Sequence, residues 1–153
     1  MPQFRKGDMF EYKRSKDDVL FVTANSYIRK DGALVMGRGA AKEMKETYLG
    51  IDKLLGEIIS RRFNHLGKYG VIILYEYKHQ NLGVFQVKYH FKDKAQVDLI
   101  KFSVTELLKY LPKNNQREFH LNYPGIGNGQ LSKEEVEPCL VSLSNNVIIW
   151  EKE

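Results

Sequence analysis

Apolar positions along the 153-residue chain gather into short clusters separated by polar, glycine-containing stretches. Clusters rich in β-branched or aromatic residues predict strands at VLFVT (19–23), VIILYEY (71–77), GVFQVKY (83–89), EFHLNY (118–123) and NVIIW (146–150). Between them, helical spacing predicts helices over 37–48, 51–63, 95–110 and 132–143, the third with Val97, Ile100, Val104, Leu107 and Leu108 along one face. Ser132 followed by Glu135 has the capping-box pattern, and Pro112 comes just after the third helix. LYEYKHQNLGVFQ reads as a hairpin with Gln80, Asn81 and Gly83 in or near its turn. The alternation predicts one α/β domain over 1–153, a mixed central β-sheet sandwiched between helices.

Composition narrows this picture. The net charge of +5, from 24 Lys and Arg against 19 Asp and Glu, is spread along the chain and suits anionic ligands without requiring nucleic acid. A lone Cys139 cannot form an intramolecular disulfide, which fits a reducing, cytoplasmic setting. No apolar run reaches the length of a signal peptide or a membrane span, so a soluble chain with no membrane partner is expected. His65, His79, His90 and His120 show no close ligand spacing with Cys or carboxylates, and neither metal nor cofactor is expected.

Glycine placement carries the candidate chemistry. VMGRGAAKEM (35–44) sets Gly37 and Gly39 immediately before a predicted helix, and YPGIGNGQL (123–131) alternates Gly125, Gly127 and Gly129 just before another. Neither stretch is a common nucleotide motif: Arg38 and Gly39 stand where a phosphate loop needs Lys and Ser or Thr, and Lys42 holds the third glycine position of a dinucleotide fingerprint. Glycines before a helix allow an anion to approach main-chain N–H groups; they also allow a tight turn or close packing. In an open α/β sheet ligands bind beyond the carboxyl ends of the strands, where both loops and YHFKDK (89–94) are expected.

With these motifs in this order, the sequence resembles the macro domain family, which binds ADP-ribose. GDMF (7–10), FVTAN (21–25), VMGRGAA, PGIGNGQL and the closing NVIIW carry the likeness over nearly the whole chain. VMGRGAAKE and FQVKYHF are most similar to the branch with small phage and bacterial proteins, the yeast ADP-ribose-1''-phosphatase and the terminal ADP-ribose glycohydrolase. The resemblance implies that Asp8 accepts from the adenine amino group while Met9 supplies a backbone contact. It places Asn25 and Asn128 near the distal ribose, with Asp31 in the same loop system as Asn25. Met36, Gly37, Arg38, Gly39 and Ala40 would wrap the diphosphate from one side, and Gly125, Ile126, Gly127, Asn128 and Gly129 from the other.

Hydrolysis of ADP-ribose-1''-phosphate or of an ADP-ribosyl linkage is the activity the resemblance implies. Lys88 falls where the glycohydrolase branch has its lysine, and as a nucleophile it would need a lowered pKa, to which Lys92 and Lys94 could contribute. The partner aspartate is absent: the chain reads GNGQLSKEE, and the amide of Gln130 is no general base at neutral pH. His90, Asp31 and Asn128 are the polar candidates for a phosphatase. A module that binds ADP-ribose or an ADP-ribosylated substrate without turnover is the alternative, with a monomer expected. A third reading is nucleic-acid binding through Lys, Arg, Tyr and Phe, against which most aromatics lie in predicted core elements.

Overall fold

The computed structural model describes residues 1–63 and 67–153, so His65 lies outside the described residues. Strands β1 (Gln3–Lys6), β2 (Val19–Ala24), β3 (Val71–Tyr77), β4 (Gln80–Gln86), β5 (Phe119–Asn122) and β6 (Val147–Glu151) form a single sheet ordered β1-β6-β5-β2-β4-β3. Only the β3–β4 pair is antiparallel, so the sheet is mixed and the carboxyl ends of the five strands other than β3 share one edge. Helices α1 (Gly39–Thr47), α2 (Ile51–Arg62), α3 (Val97–Leu108) and α4 (Lys133–Leu140) supply the outer layers.

The strand alternation divides the core in two. Val19, Phe21, Phe119, Leu121 and Ile149 pack with Ile100, Val104, Val136 and Leu140 of α3 and α4. Leu20, Val22, Ala24 and Ile148 pack with Met44, Ile51, Leu55 and Ile59 of α1 and α2. Central β2 is buried on both faces, which is why VLFVT is a continuous apolar run. At its flank, a Cβ on Gly83 would lie 2.5 Å from Phe21 Cε1 and 2.9 Å from the Ile72 carbonyl oxygen. Glycine therefore makes room in β4 for the Phe21 ring.

The hairpin differs from the sequence expectation for that reason. Gly83 sits inside β4, and the turn falls at Lys78 and His79, both with positive φ. Asn81 is likewise a brace: its Oδ1 accepts from the Glu76 amide at 2.9 Å and its Nδ2 donates to the Asp17 carbonyl at 3.2 Å, beside a register shift between Leu74 and Tyr77. Strand β4 also ends at Gln86, short of the expected 89. The buried Gln86 amide accepts from the Tyr69 and Gly70 N–H groups and donates to the Gly67 carbonyl, anchoring the approach to β3. β1 is an additional strand; QFRK is mostly exposed at a sheet edge and carries no alternation to announce it.

The capping box of α4 is present in both directions between Ser132 and Glu135. Cys139 is buried, and burial pushes its thiol up, the behaviour of a small core residue. No helix among the described residues is long and apolar enough to cross a membrane.

Candidate functional site

A cavity of about 810 Å³ opens at the shared carboxyl edge of the parallel strands. Thr23, Ala24 and Asn25 from the end of β2 line it, with Val87 and Lys88 after β4, Asn122 and Tyr123 at β5 and Trp150 to Lys152 at β6. The two glycine loops form facing walls: Gly37 to Ala41 on one side and Gly125 to Gln130 on the other. They meet closely, since a Cβ on Gly39 would lie 3.2 Å from Asn128 Nδ2.

The first wall is the start of α1. Its N-cap, Arg38, is extended and makes no side-chain cap, and the first turn has no acidic residue. The N–H groups of that turn and the positive end of the helix are thus left to a ligand, with Gly39, Ala40 and Ala41 on the lining. Gly37 has open space where a Cβ would stand. Met36 is buried in the core with 2 % of its surface exposed and is not on the lining, so its own contribution is confined to the backbone.

In the second wall the amides of Gly129, Gln130 and Leu131 close the turn onto Ile126, Gly127 and Gly125 carbonyls. Ile126, Gly127 and Asn128, just ahead of these bonds, face the cavity. Gly125 serves packing as well: an added Cβ would come within 2.8 Å of Ile100 Cδ1 and 2.9 Å of Leu131 Cδ1.

Charge in the cavity is one-sided. Arg38, Lys88, Lys92 and Lys152 line it, and the lining carboxylate, Glu151, is paired with Lys133 at 2.5 Å. Lys88 Nζ donates to the Phe91 carbonyl at 3.2 Å and the Asp93 carbonyl at 3.1 Å, bracing the loop after β4. Burial, then the Arg38 guanidinium, lowers the Lys88 amine from its ordinary value, against the pull of Asp93. Gln130 lines the cavity in a left-handed conformation, at the place where the glycohydrolase resemblance requires an aspartate.

Asn25 also lines the cavity, with both ends of its amide engaged: Nδ2 donates to the Val35 carbonyl and Oδ1 accepts from the Tyr27 amide. It therefore shapes the loop that carries Gly37. Thr23 and Asn122 form a second pair, Thr23 N–H to Asn122 Oδ1 and Asn122 Nδ2 to Thr23 Oγ1, each 2.9 Å. Neither this pair nor Trp150, Phe91 or Lys152 was singled out from the sequence. The strand-end rule would have found Asn122 and Trp150, had it been applied to residues inside the strands.

Besides Met36, four expected residues lie off the lining: Asp8, Met9, Asp31 and His90. Asp31 pairs bidentately with Arg29 and accepts from the Ala33 amide, with Lys53 and Arg61 around a separate shallow depression. The Arg29 hydrogen bond, followed by the Ala33 N–H, holds its carboxyl below the usual range. His90 stacks on Phe91 at 4.5 Å and meets the edge of Tyr27 at 4.6 Å, while its Nδ1 accepts from the Lys92 amide. The chain has left β4 by then. Asp8 Oδ1 accepts from the Phe10 amide in a turn following β1. That turn adjoins the cavity's β6 wall, since the Gly7 amide donates to the Glu151 carbonyl, and the Met9 side chain is buried.

One histidine grouping escaped the sequence reading. His120 Nε2 is 3.1 Å from Glu118 Oε1 and 3.7 Å from Asp18 Oδ2. The signal was the Glu-x-His spacing at the start of β5; Asp18 comes from the adjoining β2 end. Such groupings bind metals elsewhere, but this one is closed by its own hydrogen bonds. The Trp150 indole donates to His120 Nδ1 at 2.9 Å, which places the imidazole proton on Nε2, facing Glu118.

No family model and no curated protein matches the sequence. Solved structures do match its fold. The macrodomain of Mycobacterium tuberculosis DarG superposes with a TM-score of 0.77 at 22% identity, covering 100% of this chain and 99% of that one. For the Thermus aquaticus DarG macrodomain the values are 0.74 and 20%, over 100% and 98% of the two chains. Thermosipho africanus DarTG, solved in complex with ADP-ribose, matches with a TM-score of 0.72 at 23% identity over 96% of this chain, which spans 40% of that longer one. The chain has the macrodomain fold.

Proposed function

We propose that the cavity binds ADP-ribose, free or as part of an ADP-ribosylated substrate. The observation that carries this reading is the meeting of the uncapped, acid-free start of α1 with the loop holding Asn128, 3.2 Å from the Cβ position of Gly39. Two sets of main-chain N–H groups flanked by Arg38, Lys88 and Lys92 suit a diphosphate, and the volume suits a ligand of nucleotide size. The ADP-ribose bound by the Thermosipho africanus protein of like fold supports the same choice. The adenosine would extend toward β6, Lys152 and the Asp8 turn, and the distal ribose toward Asn25, Asn128 and Lys88.

Calorimetric titration with ADP-ribose, AMP and ATP tests the assignment. Saturable binding selective for ADP-ribose is expected. Equal or stronger binding of AMP or ATP would replace it with a general nucleotide site, and no binding would remove it.

A second reading adds chemistry at the distal ribose. It is favoured by Lys88, an amine on the lining that burial and Arg38 shift toward the neutral, nucleophilic form. Because the lining carboxylate Glu151 is already paired, Lys88 would act without a conventional acid partner. Release of ADP-ribose from a glycosidically linked substrate, with cyanoborohydride trapping of a lysine adduct, tests this step. Binding without turnover of either that substrate or ADP-ribose-1''-phosphate would make the domain a reader.

A further inference from the structure

Trp150, the one tryptophan of the chain, belongs to the cavity wall, yet its polar atom is tied to a residue outside the cavity. Its indole N–H can only donate, so the 2.9 Å bond to His120 requires Nδ1 to be an unprotonated acceptor. The remaining ring proton then sits on Nε2 and points to Glu118, with Asp18 behind it. Asp18 is itself fixed, its two oxygens accepting from the Ser15 and Glu118 amides. The buried imidazole thus has one tautomer that satisfies every partner.

The indole is buried against the core layer that holds Met9, Leu20 and Ile148, and its polar edge is directed by the His120 bond. Tyr12 packs on both rings, 5.2 Å from His120 and 5.3 Å from Trp150. The Arg5 guanidinium lies 5.3 Å from Tyr12 and 5.7 Å from Trp150. These contacts hold the ring planes, whereas the His120 bond fixes where the indole edge points.

We propose that His120 is a positioning residue for the ligand cavity: neutral and protonated on Nε2, it tethers Trp150 as part of the wall, and protonation on Nδ1 releases the indole and weakens ligand binding. An Nδ1–H would face the indole N–H, two donors without an acceptor, so the bond is lost and the indole must shift. The charged groups facing the imidazole are Glu118 and Asp18, which favour its protonation, and Arg14 on the loop before β2, which opposes it. Arg5 faces the neighbouring Tyr12 and Trp150 rings. Burial outweighs the carboxylates and holds the imidazole below its ordinary value. The proposal relies on the ADP-ribose reading only for the choice of ligand.

The test uses ADP-ribose calorimetry and Trp150 emission without ligand, from about pH 8 to about pH 4, since burial carries His120 below the ordinary histidine interval. His120→Asn keeps a carbonyl oxygen near the Nδ1 position to accept from the indole and does not titrate; His120→Leu removes the acceptor. In the wild type, affinity should fall about fivefold to tenfold toward acid, the scale of one buried hydrogen bond, and the emission should shift over the same interval. His120→Asn should bind like the wild type at the alkaline end, with both profiles flat. Folded His120→Leu, checked by circular dichroism, should bind weakly throughout; should it not fold, His120→Asn decides. Flat wild-type profiles, or a pH dependence that persists in His120→Asn, would overturn the proposal. If the wild type binds no ADP-ribose at any pH, the ligand assignment fails, and the emission profiles of wild type and His120→Asn still decide the tether.

Discussion

The Cβ position of Gly39 lies 3.2 Å from the side-chain nitrogen of Asn128, joining two loops that are far apart in the chain. The contact makes the opposed glycines one wall-to-wall site, narrow enough that main-chain groups from both sides can reach the same anion.

Gly37→Val should therefore abolish ligand binding without disturbing the fold. Gly37 is absent from the positive-φ glycines and has nothing within 4 Å of a Cβ, so the new side chain projects into the cavity unstrained. Calorimetry should show at least about a tenfold loss of affinity, with stability within about 0.5 kcal/mol of wild type. Gly127→Val is a poorer test, because Gly127 has a φ of 66° and a valine there is strained before any ligand arrives.

Asp8 holds the Phe10 amide and is proposed to meet the adenine amine, and a pair of substitutions separates the two. Asp8→Asn keeps an oxygen for the Phe10 amide and removes the charge offered to an adenine amine; Asp8→Ala removes both. Adenine-nucleotide affinity should drop in both variants. Only Asp8→Ala should lose stability in urea unfolding, by about 1 kcal/mol. Unchanged affinity in Asp8→Asn would detach Asp8 from adenine recognition.

Lys88→Ala should abolish any glycohydrolase turnover and adduct trapping, and should loosen the loop that its Nζ pins through the Phe91 and Asp93 carbonyls. Faster amide exchange at residues 91–94 is expected whether or not turnover exists. Wild-type turnover in this variant would take Lys88 out of the chemistry.

Stability should fall as pH drops below about 6.5, the ordinary histidine value. His120 is held lower than that in the fold, so in this interval the unfolded chain binds a proton that the native chain does not. The stabilisation is complete above the unfolded value and is lost on acidification, at no more than about 1.4 kcal/mol per pH unit. The carboxyls of Asp31 and Glu135, both held low, act in the same direction but in the more acidic carboxylate range. Urea unfolding of wild type and His120→Asn across pH separates the two ranges.

Gly83→Ala should destabilise by about 1–3 kcal/mol, because the methyl would stand 2.5 Å from the Phe21 ring. Thermal unfolding checks this, and ligand affinity per folded molecule should be unchanged.

The sequence made the buried centre of this fold legible. β2, β5, β6 and all four helices declare themselves through continuous apolar runs or helical spacing, because each has a whole face committed to the core. β1 does not, being a mostly exposed edge held by backbone pairing with β6. Asn81 and Gly83 misled for a related reason: residues that usually make turns here serve a distant backbone and a neighbouring ring. At the site, both glycine loops and Lys88 were legible from local pattern and resemblance. The Thr23–Asn122 pair and the His120–Trp150 bond were not, since each joins residues whose proximity is created by strand order.

Strand order also governs how the domain must assemble. β6 lies between β1 and β5, pairing residues 3–6 with 148–151, so segments far apart in the chain pair at one side of the sheet, where the end of β6 also lines the cavity. Closing so long a loop is entropically costly before its contacts form, which slows folding and makes it cooperative. No partly folded intermediate lacking β6 can possess the whole cavity. Ligand binding would thus report completed folding, and in a refolding experiment it should appear only with the slowest phase that restores native structure.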